Sequence, residues 1–222
     1  MTRIYAPFIK PGDLCFDIGA HLGDRVRAWS TLNARVIALE PQPACMNWLR
    51  RLYGSRSDIV LIEQAVGAQP SVETFFISRL NPSMSTLSRA WVKTIQETPR
   101  FAAVHWDEQI PVTVTTLDAL IAQYGKPAFC KIDVEGAELD VLQGLTQALP
   151  ALSFEYIPAM IETALGCIKR LSQLGSYEYN WRVSEWPRLR SSVWLSAEEM
   201  ITCLKNMPRD NDSGDVYARL IL

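Results

Sequence analysis

The stretch FDIGAHLGD, Phe16 to Asp24, runs apolar residues into an acid, Asp17, and then into two glycines, Gly19 and Gly23. Glu40, 23 residues beyond Asp17, ends a second apolar run, RVIALE, and a third, IVLIEQAVG, contains the Gln64–Ala65 pair. Glycines at 19 and 23 let backbone approach a ligand with no Cβ in the way, and a helix beginning near Asp24 presents free N–H groups. A carboxylate at the end of a second strand can accept from both hydroxyls of an adenosine ribose. These residue types at this spacing describe a nucleoside pocket.

The loop selects among nucleoside cofactors. A dinucleotide site brings G-x-G-x-x-G backbone against a pyrophosphate. Here the loop is GAHLG preceded by Asp17; an acid there opposes phosphate and suits the positive sulfonium and ammonium of S-adenosylmethionine. The alternative is a strand-end turn whose Asp17 caps the next helix.

Such an edge requires a parallel sheet, and the pattern supplies one. LCFDIG, RVIALEP and IVLIEQAVG read as strands separated by helices. DRVRAWSTLN has Val26, Trp29 and Leu32 at helical spacing, and ACMNWLRRLYG has Met46, Leu49 and Tyr53 with Gly54 as cap. Near-continuous apolar strands alternating with helices predict an open α/β sheet covered on both faces. ETFFIS and IPVTVTTLDAL read as a small β insertion after strand three, and RLNPSMSTLSRAW between them has no clear period. KPAFCKIDVEG then gives strand four, LSFEYIP strand five, YEYNWRV strand six and VYARLIL the last strand. Helices GAELDVLQGLTQAL, MIETALGCIKRLSQLG and SAEEMITCLKNMP lie between them, the last with a capping box from Ser196 to Glu199. With no linker, repeat or low-complexity tract, residues 1–222 read as a single domain.

Composition narrows the function classes. The chain has 222 residues, 48% hydrophobic, with a net charge of -2, so it lacks the basic balance of a phosphate-backbone binder and no nucleic-acid partner is expected. No apolar run reaches the roughly 20 residues of a membrane span, and MTRIYAPFIKPGD has no signal-peptide centre, so a cytoplasmic location is expected. The cysteines at 15, 45, 130, 167 and 203 form no C-x-x-C pair and read as buried free thiols; no metal site is expected from them or from His21 and His105. Trp181, Trp186 and Trp194 read as core packing rather than a sugar platform.

FDIGAHLGD, ALEPQP, TTLDAL, KIDVEGAELDVLQG and SFEY, in this order over Gly12 to Tyr156, resemble the FkbM family of S-adenosylmethionine-dependent methyltransferases. The resemblance implies a class I methyltransferase (Rossmann-like) fold. Its sheet has seven mostly parallel strands, helices on both faces and an antiparallel last strand. It also implies O-methylation of a hydroxyl on a small molecule or sugar. By the same resemblance Asp17, Gly19, Ala20 and Gly23 form the cofactor loop, Glu40 and Pro41 the ribose contact, and Gln64, Ala65 and Val66 the wall beside the adenine. His21 stands where the family commonly has asparagine; both side chains can donate and accept. Ser83, Ser85 and Thr86 in NPSMSTL resemble the family's Ser-rich stretch, either a lid over the cofactor or an ordinary polar loop.

The motif after strand four is implied to lie beside the methyl group. In-line methyl transfer needs the acceptor oxygen about 3 Å from the methyl carbon and a group to take its proton. Asp133 and Glu135 are the first candidates for that proton and His105 a further one, while Glu155 is a candidate for orienting the substrate. Each has a plainer reading: Asp133 as a helix cap, Glu138 beside it as a first-turn carboxylate, His105 next to Trp106 as surface or packing, and Glu155 as a wet strand end.

Overall fold

The computed structural model describes residues 1–98, 101, 103–208 and 211–221. A short helix α1 (Thr2–Tyr5) leads into β1 (Leu14–Ile18), α2 (Asp24–Ser30), β2 (Arg35–Leu39), α3 (Pro43–Tyr53) and β3 (Ile59–Ile62). The insertion follows as β4 (Ala65–Val66), β5 (Ser71–Ile77), α4 (Arg89–Gln96) and β6 (Glu108–Thr115), closed by α5 (Leu117–Tyr124). The chain returns through β7 (Phe129–Ile132), α6 (Glu138–Gln143), β8 (Ala151–Tyr156), α7 (Ile161–Leu174), β9 (Tyr177–Val183), α8 (Ala197–Lys205) and β10 (Gly214–Leu220).

Seven strands form one sheet in the order β3-β2-β1-β7-β8-β10-β9, with β10 antiparallel to both β8 and β9 and the other pairs parallel. From β1 the chain moves outward to β2 and β3, then crosses back to β7 on the other side of β1. That reversal makes the carboxyl ends of β1 and β7 the topological switch point, where open α/β sheets bind ligands.

The strands are apolar throughout because both faces are covered. Phe16, Ile18, Ile37, Leu39, Ile132 and Phe154 pack against residues of α5 to α8. Alternate residues Cys15, Val36, Ala38 and Phe129 pack with Ile4, Tyr5, Trp29, Met46 and Leu49 of the first three helices. Where these helices end, the predicted signals operate: Gly54 closes α3, Gly175 closes α7, and Ser196 with Glu199 forms the capping box of α8. Cys15, Cys45, Cys130 and Cys167 are buried free thiols and Cys203 is partly exposed.

Three elements differ from the sequence expectation. GAELDVLQGLTQAL, expected as one helix, is helical only over Glu138–Gln143, ended at Gly144, while Leu145 and Leu149 reach the core from the following loop. IVLIEQAVG, expected as one strand, divides: β3 pairs with β2, whereas β4 leaves the main sheet and pairs with β6 in a three-stranded sheet, β4-β6-β5. Apolar continuity carries no mark of a change of partner. The segment without clear period contains α4, held by Ser88 at its N-cap and burying Trp91 and Ile95 one turn apart. Two buried residues in eight are too few to set a period.

Candidate functional site

At the switch point β1 delivers the loop Gly19–Gly23. Gly19 adopts φ 84, and a Cβ there would stand 1.9 Å from the Asp133 carbonyl oxygen. Glycine is therefore required where the β1 and β7 ends touch, a reason different from ligand access. Gly23, at φ 87, likewise makes room for Leu49 and Tyr53 of α3. His21 has φ 46, a left-handed conformation that asparagine and histidine tolerate better than most residues. Burial lowers its imidazole below the usual histidine value.

Glu40, at the end of β2, is 2% exposed. Its Oε2 accepts from the His21 backbone N–H at 2.8 Å and its Oε1 from that of Gln42 at 2.9 Å. Burial nevertheless raises it to about 7. Each carboxylate oxygen keeps a lone pair for a further donor.

Glu40 forms one wall of a narrow cleft enclosing about 50 Å³. Of the residues singled out from sequence, Gly19, His21, Pro41, Gln64, Ala65, Val66, Ser85, Asp133 and Glu135 line it with Glu40. Apolar Ile18, Leu39 and Phe75 complete its floor, and its described lining holds no lysine or arginine.

The structure does not bring Asp17, Ala20, Gly23 or His105 into that lining. Asp17 pairs in register with Lys131, alternates with Ile18 along β1 and is not among the residues that line the cleft. It is fully buried, its two oxygens lack hydrogen-bond partners, and burial raises it to about 7 despite Arg25 and Lys131. It does not cap α2, whose N-cap is Gly23 without a side-chain bond. Ala20 is buried among the residues packed on α2 and α3. His105 is exposed before β6, and neighbouring Trp106 packs edge-on against Trp91. Trp181 and Trp194 pack against the core and Trp186 is exposed; none of the three lines the narrow cleft or the large cavity described below.

After β7 the chain turns through Glu135 (φ 55) and Gly136 (φ 91). Glu138 is the clamp of this turn: its Oε1 accepts from the N–H groups of Val134 and Gly136, each at 3.1 Å. It also opens α6, the first-turn position expected for it. Asp133 is not a helix cap, because α6 begins after Ala137 with no side-chain cap. Instead its Oδ2 meets Lys131 Nζ at 3.0 Å, and the same ammonium reaches Asp215 Oδ1 at 2.6 Å. Carboxylate oxygens of Asp133, Glu135 and Glu155 lie within 4.8 Å of one another, close enough to share a cation. Burial first, then the neighbouring acids, pushes Glu135 and Glu155 well above the usual carboxylate range.

A strap between β5 and α4 covers the cleft, and its attachments were not visible in the sequence. The Thr86 hydroxyl donates to the Glu135 carbonyl at 2.7 Å, Gln42 Nε2 to the Pro82 carbonyl at 3.0 Å, and Trp106 Nε1 to the Met84 carbonyl at 2.8 Å. Trp91 packs on Gly136, where a Cβ would meet its ring at 2.4 Å. Beyond Glu135 opens a second cavity of about 1020 Å³ between α4 and the carboxyl end of β8.

The strand order agrees with comparisons to known proteins. Precorrin-6y C5,15-methyltransferase from Geobacter metallireducens GS-15 superposes with a TM-score of 0.50 at 12% identity, over 99% of this chain and 86% of that one. An rRNA methylase from Streptococcus thermophilus gives 0.51 at 9% identity, over 100% and 94%. At such identities the likeness establishes the class I methyltransferase fold. A comparison with curated proteins finds no match. The family model described as the methyltransferase FkbM domain matches residues 17–163, which span β1 through the first residues of α7 and contain both the Glu40 cleft and the Asp133–Glu155 cluster. The chain therefore belongs to the FkbM methyltransferase domain family and is an S-adenosylmethionine-dependent methyltransferase.

Proposed function

We propose that this chain transfers the methyl group to a hydroxyl oxygen of a small molecule or sugar. The observation that carries the reading is Glu135: among the described residues it alone lines both the narrow cleft and the large cavity. A base at that junction stands where cofactor and acceptor must meet.

The residues of the cleft fit the cofactor. Glu40 retains acceptor capacity for ribose hydroxyls, Leu39, Val66 and Phe75 offer an apolar wall for the adenine, and the lining carries acids without lysine or arginine. That balance favours a sulfonium and disfavours a pyrophosphate. In this reading the loop from Asp17 to Gly23 shapes the methionine end, Asp17 and Ala20 acting from behind, while Pro41, Gln64 and Ala65 flank the nucleoside and Ser85 covers it.

The bound cofactor supplies an electrophilic methyl on positively charged sulfur. As the oxygen–carbon bond forms and the carbon–sulfur bond breaks, leaving a neutral thioether, the hydroxyl proton passes to a carboxylate. Glu135 is the first candidate, because burial and its acidic neighbours raise its proton affinity toward what a general base at neutral pH requires. Asp133 is the second; it lines the cleft, with its Oδ2 engaged by Lys131. Glu155 orients the acceptor, and exposed His105 takes no part.

Glu135→Gln and Asp133→Asn separate chemistry from binding. The variant lacking the base should lose about 10² to 10⁴ in kcat, with S-adenosylhomocysteine affinity near parental by calorimetry. Parental turnover in both variants, or a product carrying the methyl on carbon or nitrogen by NMR, would remove the reading.

A further inference from the structure

We infer that Asp133 is the counter-ion of the cofactor's sulfonium, tempered by Lys131 behind it, and that this pair sets how strongly the cleft favours positively charged S-adenosylmethionine over its neutral product. The inference rests on the reading of the narrow cleft as the cofactor site and names the residue that senses the reacting atom.

Three neighbouring strand ends lay out the cleft. The Gly19 N–H donates to the Leu39 carbonyl at 3.0 Å and the Asp133 N–H to the Ile18 carbonyl at 2.9 Å, so the loop after β1 lies between Glu40 beyond β2 and Asp133 beyond β7. Both acids line the cleft, one strand to either side of β1, with adjacent strands about 4.8 Å apart. In the cofactor the sulfur is bonded to the ribose 5′ carbon. With the base on the β3 side, against Gln64 and Ala65, a ribose held at Glu40 directs that sulfur toward Asp133.

Asp133 is equipped to meet it. Its Oδ2 is paired with Lys131 Nζ at 3.0 Å, yet the side chain stays 32% exposed and keeps lone pairs for a ligand. Lys131 is fully buried, lies outside the cleft lining and shares its ammonium with Asp215 at 2.6 Å, which is gripped in turn by Arg182 Nε at 2.6 Å. Divided between two carboxylates, the ammonium cancels only part of the Asp133 charge. The other groups of the cleft suit the task less. Glu40 is bound to the His21 and Gln42 N–H groups at the ribose end, and burial raises it to about 7. Burial lowers the His21 imidazole, so the neutral ring adds no competing charge. Glu135, lifted well above the usual carboxylate range by burial, is left to take the hydroxyl proton. On transfer the methyl bonds the acceptor oxygen and the carbon–sulfur electron pair stays on sulfur. The positive charge at sulfur disappears, and with it the hold of Asp133 on the product.

Calorimetry on the full chain, without acceptor, compares three ligands: S-adenosylmethionine, S-adenosylhomocysteine, which lacks the charged sulfur, and sinefungin, which carries an ammonium-bearing carbon in place of the methylated sulfur. Asp133→Asn should weaken the two charged ligands by at least ~10-fold and the neutral one by less than ~2-fold. Lys131→Met should act with the opposite sign, strengthening the charged ligands relative to S-adenosylhomocysteine by ~3-fold. Asp133 is partly exposed and caps no helix, so Asp133→Asn decides the inference by itself should Lys131→Met fail to fold. An equal loss for all three ligands, parental affinities in Asp133→Asn, or a Lys131→Met shift of the same sign would each overturn the inference. Glu40→Ala in the same series tests the cleft itself. If it weakens none of the three, the cleft reading falls and takes the counter-ion with it; if it weakens all three while Asp133→Asn spares the charged ligands, only the counter-ion role is lost.

Discussion

At the scale of single residues, Glu40 and Gly19 act through different physics. Glu40 is buried and pre-oriented by two backbone N–H groups; on the function proposed above, Glu40→Ala removes charge-assisted bonds to the cofactor ribose. Such bonds contribute about 1.5 to 3 kcal/mol, so cofactor affinity should fall by about 10- to 100-fold. Calorimetry with S-adenosylhomocysteine measures this directly, and an unchanged affinity in a folded variant would take Glu40 out of the cofactor site. Gly19→Ala should act on stability first. The new Cβ would stand 1.9 Å from a backbone oxygen at a φ of 84, which costs at least ~3 kcal/mol through overpacking and strain. A urea titration with a parental midpoint would show that β1 and β7 are not held as tightly as their geometry requires.

Among the elements, the strap between β5 and α4 couples the two cavities. It is tied to Gln42, which lines the cleft, and to Glu135, which lines both cavities. On the function proposed above the strap lies over the cofactor, and its opening would govern entry and release. Thr86 is a latch of the strap beside its backbone bridge to Phe76: the hydroxyl donates to the Glu135 carbonyl and accepts from the Ser88 N–H at 2.8 Å. Thr86→Val leaves both groups unpaired at a cost of about 1 to 3 kcal/mol. The closed form should weaken, and S-adenosylhomocysteine should dissociate about 5- to 100-fold faster in stopped-flow measurements. A parental off-rate would show that the strap does not gate the cleft.

Over the whole molecule, the carboxyl edge of the sheet concentrates buried charge. Asp215 is gripped by Lys131 and Arg182; burial alone would raise it, but the two cations outweigh burial and hold it at about 2. Its contribution to stability is present above the ordinary carboxylate range and is lost as pH falls toward 2. Asp17, Glu40 and Glu138 behave oppositely. Burial raises each to about 7, so the folded chain keeps protons that the unfolded chain has released. Their contribution is full below about pH 4 and is lost as pH rises through 7. The ligand-free protein should therefore melt highest near pH 4 to 5 and at least ~4 °C lower at pH 7.5. A flat profile by calorimetric scanning would mean that these carboxylates are already ionised in the fold. Among the described residues no helix is long and apolar enough to cross a membrane.

The sequence by itself determined the alternation of strands and helices, the acid at the end of β2 and the motif order that marks the family, because these are properties of neighbouring residues. Hydrophobic period is local, and so are caps such as Gly54 and Ser196. Only the tertiary structure decided which acids face which space. Asp17 and Glu40 look equivalent as strand-end carboxylates, yet Asp17 is sealed in the fold without hydrogen-bond partners while Glu40 lines the cleft. The glycine at 19 is legible as a turn, but its actual neighbour, the Asp133 carbonyl, lies just past the end of β7, more than a hundred residues away. The latch from Thr86 to Glu135 joins residues 49 apart, and the acids of the Asp133–Glu155 cluster meet only because β7 and β8 lie side by side. Such contacts arise when loops close and strands pair, and a one-dimensional pattern has no period that records them.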